Sequence, residues 1–183
     1  MKRLQRDSVL ISLIEALKTR GSWCGETHIQ KTTYFLQELL GVPLGFEFIL
    51  YKHGPYSFEL SDTLAQMEAD FMIKPIPMTP YGPSLALGET GGLLKERFPK
   101  TIANHKAAVN FVAGKLAGKN VGELERVATA MYVTREAGAK TGSQKRAARI
   151  HELKSHVSIE QALEAVIEFD RIQSDAGAYE TPF

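Results

Sequence analysis

The fold is decided by residues 25–70, GETHIQKTTYFLQELLGVPLGFEFILYKHGPYSFELSDTLAQMEAD. The pattern predicts a helix, a strand, a tight turn and a second helix. The strand is placed at residues 45–51, which are dense in aromatic and β-branched side chains and bounded by glycine. The turn is Lys52-His53-Gly54-Pro55, and Ser57 suits the cap of the helix that follows. The chain on either side is expected to pack this unit.

The first of these helices, over residues 27–40, is predicted to begin at Thr27 and to bury one apolar face. Ile29, Thr33, Leu36 and Leu40 fall on that face. The opposite and exposed face would then carry Gln30, Lys31, Tyr34 and Gln37.

Helical patterns flank the deciding stretch. Before it, apolar residues recur at helical spacing from Leu10, with Asp7 or Ser8 as the predicted cap. After it, residues 72–87 read as two short strands interrupted by prolines, and residues 88–99 as a polar connector. From residue 101 onward the pattern is helical, and Ser158 with Gln161 forms a capping box.

These elements predict a mostly α (α+β) fold. A winged-helix-like core with a small β-hairpin would occupy residues 1–95, and a C-terminal helical bundle residues 96–183. The two parts are expected to pack as one compact domain, because 183 residues is the size of an ordinary single domain.

Charge and composition exclude several classes of protein. With 22 Lys and Arg against 21 Asp and Glu, the net charge of +1 gives no strong field for nucleic acid or an anionic membrane. No apolar run approaches the roughly 20 residues that a membrane helix needs. The N-terminal apolar residues are spaced and no small-residue cleavage site follows, so the expected location is cytoplasmic. Cys24 is the single cysteine, which rules out an internal disulfide.

Patterns typical of a catalytic centre do not occur. The histidines have no second ligand at metal-binding spacing, and Gly88-Glu-Thr-Gly-Gly92 lacks the strand, helix and lysine of a phosphate loop. No serine occupies a nucleophile elbow. We therefore predict a protein that is not an enzyme and holds no cofactor or metal.

A winged-helix-like core raises the alternative of a DNA-binding transcriptional regulator. The candidate recognition helix, residues 57–70, carries Glu59, Asp62, Glu68 and Asp70 but no Lys or Arg. Four carboxylates would be repelled by DNA phosphates, whereas groove-reading helices offer Arg, Lys, Asn or Gln. The composition of this helix argues against the alternative.

The most basic stretch is residues 135–156. A solvated helix face is the commonest role of such a run, and the functional role is a surface for an acidic protein or for RNA or DNA backbone. The cations that would form it are Lys140, Lys145, Arg146, Arg149 and Lys154.

Within the same stretch, Arg146 and His151 have a spacing that resembles the Arg-x4-6-His motif of HEPN ribonucleases. Such a spacing arises readily by chance in a chain with several Arg and His residues. HEPN activity also needs a dimeric all-α core, and the strand predicted in the first half does not fit it. A ribonuclease remains the second alternative.

A protein-binding surface is predicted around the turn. Tyr51, His53 and Tyr56 flank Gly54-Pro55, and Lys31 and Tyr34 would face outward from the preceding helix. Aromatic side chains beside a rigid turn suit a protein interface, although the same rings could instead pack the strand onto the helices.

Over most of its length the chain resembles the YwgA-like family, which is related to the Panacea (SocA-like) antitoxin-associated domain. The similarity begins in a Gln-Lys-x-x-Tyr helix and continues through an aromatic strand, a Gly-Pro turn and the next helix. The residues that carry it are Ile29, Gln30, Lys31, Tyr34, Leu36, Phe46, Phe48, Tyr51, Gly54, Pro55, Tyr56, Ser57 and Leu60, with residues 124–132 and 152–158 in the later helices.

The resemblance implies a small helical domain with a winged-helix-like core and no known enzymatic activity. The better-studied relatives of the family act as antitoxins, adaptors or neutralisers that bind a toxin protein, often in defence or mobile-element settings. It therefore implies an antitoxin-like or adaptor subunit whose partner is a toxin or effector protein. The resemblance supplies no catalytic residues.

Overall fold

A computed structural model describes residues 1–78, 82–138 and 141–177. These residues form eight α-helices and two antiparallel β-hairpins, which confirms the predicted mostly α (α+β) class. The elements are α1 (Arg3–Thr19), α2 (Glu26–Glu38), β1 (Ile49–Tyr51), β2 (Gly54–Tyr56), α3 (Phe58–Ala69), β3 (Ile73–Ile76), β4 (Ser84–Leu87), α4 (Gly91–Arg97), α5 (Pro99–Leu116), α6 (Val121–Ala137), α7 (Ser143–Leu153) and α8 (Ile159–Gly177).

The chain forms two compact units. The first contains residues 1–48 and 57–119, and the second contains residues 49–56 and those from 120 onward. The β1–β2 hairpin therefore belongs to the unit built by the C-terminal helices, although it lies in the N-terminal half of the sequence. The division predicted between residues 95 and 96 falls within α4 of the first unit.

In the first unit, α1 packs against α5 and α2 also contacts α5. Helix α1 begins at Arg3, not at the predicted cap Asp7 or Ser8, because Lys2 and Gln5 close its first turn. The backbone N–H of Lys2 donates to Gln5 Oε1 at 3.2 Å. Asp7 and Ser8 are instead buried within the helix.

Helix α2 differs from its predicted amphipathic form. It begins at Glu26 after Gly25, one residue before the predicted Thr27, and all nine residues over 28–36 are buried. Lys31 is only 1% exposed and Tyr34 only 3%. The prediction of an exposed face on this helix is therefore wrong, because the helix is enclosed on every side and not along a single apolar stripe.

The predicted strand over residues 45–51 pairs only from Ile49 onward. Its partner is β2, in the register Ile49 to Tyr56 and Tyr51 to Gly54, so the loop is the two residues 52–53. Gly54 has φ of 81°, a left-handed conformation that costs glycine little. The predicted four-residue turn is thus a two-residue loop followed by a short strand.

Other local predictions are confirmed. Ser57 caps α3 by accepting from the N–H of Leu60 at 3.2 Å, and β3 pairs with β4 as a hairpin. Ser158 and Gln161 form the capping box that opens α8. The connector over residues 88–99 is the exception, since it contains α4.

Among the described residues, none of the helices has both the length and the apolar character that crossing a bilayer requires.

Candidate functional site

Two glutamines of α2 fix the chain on either side of the β1–β2 hairpin. Gln37 accepts from the N–H of Phe46 at 2.9 Å and donates to its carbonyl oxygen at 2.8 Å. Gln30 does the same for Ser57, with both distances 2.9 Å. Each side-chain amide thus pairs with both the N–H and the carbonyl group of one residue, in the way that a neighbouring β-strand pairs with a backbone. The first unit therefore fixes the backbone at positions 46 and 57 on either side of the hairpin segment.

Within the second unit, the tip of the hairpin is held by Lys154, the residue that directly follows α7. Its ammonium group donates to the carbonyl oxygens of Tyr51 and Lys52. Burial lowers the pKa of Lys154, and the nearby carboxylate of Glu125 partly offsets that effect. A buried ammonium bonded to two loop carbonyls restricts the conformation of that loop.

Glu125 of α6 is the centre of a compact charged group. Its Oε1 lies 3.8 Å from Lys154 Nζ, and both side chains are 8% exposed. Its Oε2 lies 3.4 Å from Nδ1 of His53, and its Oε1 lies 3.4 Å from Nε2 of His156. The imidazoles are 71% and 63% exposed, so each reaches from the buried carboxylate to the surface. We call Glu125, Lys154, His53 and His156 the Glu125 cluster.

Beside this cluster, the hairpin presents apolar and aromatic side chains. Ile49 and Tyr51 are two residues apart on β1 and so share one face of it, and Tyr56 is directly opposite Ile49. Ile49 is 42% and Tyr51 43% exposed, while Tyr56 is half-buried. The rings of Tyr51 and Tyr56 lie 5.8 Å apart. We call Ile49, Tyr51 and Tyr56 the hairpin face.

The structure brings only some of the predicted site residues together. Tyr51, His53, Tyr56 and Lys154 all lie at the hairpin of the second unit. Lys31 and Tyr34 do not join them as surface residues, because both are buried in α2 of the first unit. The ring of Tyr34 packs edge-on against Phe48, with centroids 5.1 Å apart.

The predicted basic surface over residues 135–156 is largely absent from the described residues. Arg146 is buried, and its two Nη atoms each lie 2.7 Å from an oxygen of Asp170. Lys154 is buried in the Glu125 cluster. Lys145 is exposed, Arg149 pairs with Glu136 and Glu152, and Lys140 lies outside the described residues. The prediction that Arg146 and Lys154 form an exposed patch is wrong, because each neutralises a carboxylate of its own unit.

The structure adds no support for the two alternative functions, a HEPN-like ribonuclease and a DNA-binding regulator. Arg146 of the HEPN-like spacing is occupied by Asp170, and Nδ1 of His151 forms a hydrogen bond with the carbonyl oxygen of Val157 at 2.7 Å. In α3, Glu59 pairs with Arg6, and the helix remains acidic on its exposed side.

Glu125 and His156 are the site residues that sequence reasoning missed. Glu125 lies between Leu124 and Arg126 and reads as an ordinary charge on a helix. Its one signal is position, because it directly follows the apolar Leu124, which is buried in α6. Pairing with His53, 72 residues away, is visible only in three dimensions.

The described residues contain no group of three or more His, Cys, Asp or Glu side chains that could hold a metal ion. Cys24 is buried, and desolvation raises the pKa of its thiol to about 12, so it remains protonated near neutral pH.

No protein-family model matches the chain, and a comparison with curated proteins finds no match either.

Proposed function

We propose that this protein is a non-catalytic protein-binding module, an antitoxin-like or adaptor subunit that contacts a toxin or effector protein. The interface is the hairpin face together with the exposed imidazoles of the Glu125 cluster. The observation that carries this proposal is the presentation of Tyr51 and His53 on a hairpin whose tip carbonyls are bonded to Lys154.

The chemistry of the hairpin face suits such an interface. Tyrosine is enriched among the residues that contribute most binding energy, because its ring buries a large area and its hydroxyl can still form a hydrogen bond. Exposed Tyr51 and Ile49 are adjacent on one face, and the Tyr56 ring lies against Tyr51. Covering these side chains with a partner would remove apolar surface from water.

The Lys154 contacts supply a second argument. Association costs conformational entropy whenever a loop must become ordered, and a loop that is already fixed avoids that cost. The ammonium of Lys154 and the register of β1 and β2 hold residues 51–54 before any partner arrives. A buried ion pair such as Lys154 with Glu125 often adds little net stability. We therefore assign this pair the role of fixing one conformation of the hairpin.

The resemblance to the YwgA-like family supports the same proposal. Its turn motif, Gly54-Pro55-Tyr56-Ser57, forms strand β2 and the cap of α3 in this chain. The better-studied relatives of that family are antitoxins, adaptors or neutralisers that bind a toxin protein. A toxin or effector of a toxin–antitoxin or defence-type complex is therefore the class of partner that we propose.

Purification of the tagged protein from its native cell tests the proposal. We expect a stoichiometric protein partner with a low ratio of absorbance at 260 to 280 nm. The variant Tyr51→Ser/His53→Ala should lose that partner while remaining folded. The matched control is Leu93→Ser, which removes a 65% exposed apolar side chain from α4 in the first unit. Nuclease-sensitive absorbance without a protein partner would contradict the proposal and favour nucleic-acid binding.

A further inference from the structure

We propose that the exposed rim of the Glu125 cluster binds a carboxylate of the partner, and that this contact takes up protons. The inference rests on the proposed function, because it assigns the chemistry of the partner at the same surface. The sequence points to His53 beside the turn but does not connect it with His156, which lies about 100 positions later.

The charges around the rim favour an acidic partner. We define this rim as Lys52 and His53 at the hairpin tip together with His156 after α7, all of which are exposed. The one acidic group of the cluster, Glu125, is buried and already faces the ammonium of Lys154. The side chains that a partner would touch at this rim are therefore cationic or become cationic on protonation, which complements an acidic surface.

The orientation of the two imidazoles leaves one nitrogen of each ring available to a partner. One ring nitrogen of His53 faces Oε2 of Glu125, and one ring nitrogen of His156 faces Oε1. The other nitrogen of each ring consequently points away from the buried carboxylate. A carboxylate held between the hydrated sides of the two rings would accept a hydrogen bond from each imidazolium.

Glu125 offers an acceptor on the inner side of this arrangement. Its Oε1 is buried without a hydrogen bond of good geometry, and an imidazolium at His156 would supply one. In the complex, the partner carboxylate on the outer side would stabilise the charged form of the ring. The positive charges of Lys154, behind Glu125, and of Lys52, at the tip, would repel a second proton if both rings became charged. We therefore expect about one proton to be taken up on binding.

This proton uptake predicts a pH dependence. Histidine in model peptides has a pKa of about 6.5, whereas carboxylates of a partner are ionised throughout this range. Affinity should rise as pH falls from 8 to 6, by up to about tenfold per pH unit for one proton taken up. A contact made only by Tyr51 and Ile49 would show no such slope.

Two measurements on the purified complex test the inference. The first is carbodiimide coupling, which joins an amine to a carboxylate only when they are in contact, followed by mass spectrometry. We expect Lys52 to be coupled to an Asp or Glu of the partner. Coupling of the partner's lysines to carboxylates of this chain, or no coupling at Lys52, would overturn the inference.

The second measurement is affinity against pH for the wild type, for His53→Gln/His156→Gln and for the control His105→Gln in α5. The double variant should bind about tenfold more weakly at pH 6 and lose the slope, and the control should keep both. If the double variant keeps wild-type affinity while Tyr51→Ser loses it, the inference fails and the proposed function stands. If no partner is recovered, both fail.

Discussion

Lys154 and Glu125 face each other across 3.8 Å inside the second unit, and the ammonium of Lys154 also donates to the hairpin carbonyls of Tyr51 and Lys52. The pair therefore joins α6 and the end of α7 to a hairpin taken from the middle of the chain. Removing either side chain would leave the other buried without its main partner.

The first prediction concerns this pair. Lys154→Met keeps most of the side-chain volume but removes the ammonium charge that faces Glu125 and the Lys154 donor to two carbonyl groups. We expect the free energy of unfolding to fall by about 3–5 kcal/mol, the cost of an uncompensated buried charge. Urea denaturation followed by circular dichroism measures it.

The matched control for Lys154→Met is Lys145→Met, at an exposed lysine of α7, which should change stability by no more than about 0.5 kcal/mol. Lys154→Met/Glu125→Leu should recover part of the loss, because it removes both charges together. Equal stability of Lys154→Met and Lys145→Met would show that the pair does not hold the hairpin.

The second prediction concerns the glutamine that holds the chain after the hairpin. Gln30→Ala leaves the N–H of buried Ser57 unpaired, while its carbonyl oxygen keeps the N–H of Ser61, and should cost about 1–3 kcal/mol. Gln66→Ala, at an exposed position of α3, is the control and should be nearly neutral. Thermal unfolding of both variants decides the matter, and similar melting temperatures would contradict the assigned role.

The third prediction is that Arg146 stabilises the second unit whereas its exposed neighbour Lys145 does not. Because Arg146 pairs with Asp170 and also donates to Thr134 Oγ1 at 3.0 Å, Arg146→Ala should destabilise the second unit by about 1.5–3 kcal/mol. The loss is that of charged hydrogen bonds and not of a fully buried pair, since the Asp170 side chain is 42% exposed. Lys145→Ala should leave stability unchanged. A limited-proteolysis time course should show faster cleavage of residues 120–177 only in Arg146→Ala. Resistance equal to that of the wild type would mean that the pair is dispensable.

The fourth prediction is a pH dependence from Asp7, whose carboxylate is buried in α1 with Arg3 Nε at 3.5 Å. Burial raises the pKa of Asp7, and Arg3 and Arg6 only partly offset this. The folded state therefore binds the proton more tightly than the unfolded state, so this residue's contribution to stability grows as pH falls through its folded pKa.

Asp7→Asn imitates the protonated carboxyl, so it should melt at a higher temperature than the wild type at pH 7, with the difference shrinking towards pH 4. Asp62→Asn, at an exposed carboxylate of α3, should show no comparable trend. A difference that grows on acidification would contradict the expected sign.

Local features of the fold were predictable because their causes are local. The Ser57 cap, the Ser158–Gln161 capping box and the β3–β4 hairpin depend on residues close in sequence, and each is present. The β1–β2 pairing was not predicted, because β2 is Gly-Pro-Tyr and carries no strand pattern of its own.

The errors in α2 and at the site have a common physical origin. A periodic apolar stripe in the sequence reveals only one buried face of a helix, whereas α2 is buried on all sides over residues 28–36. Its buried polar side chain Gln30 is accommodated by a hydrogen bond to the backbone of Ser57. Arg146 and Lys154 likewise read as surface cations until their carboxylate partners are seen. Tyr51 and His53 were identified from the turn, whereas Glu125 depends on contacts between distant segments.

The most direct test of the account is the affinity of the recovered partner for three purified forms by isothermal titration calorimetry. The forms are the wild type, Tyr51→Ser and Leu93→Ser. The account predicts that Tyr51→Ser binds at least about tenfold more weakly, a loss of about 1.4 kcal/mol, while Leu93→Ser stays within about twofold of the wild type. Wild-type affinity in Tyr51→Ser, or an equal loss in Leu93→Ser, would contradict the assignment of the hairpin as the binding surface.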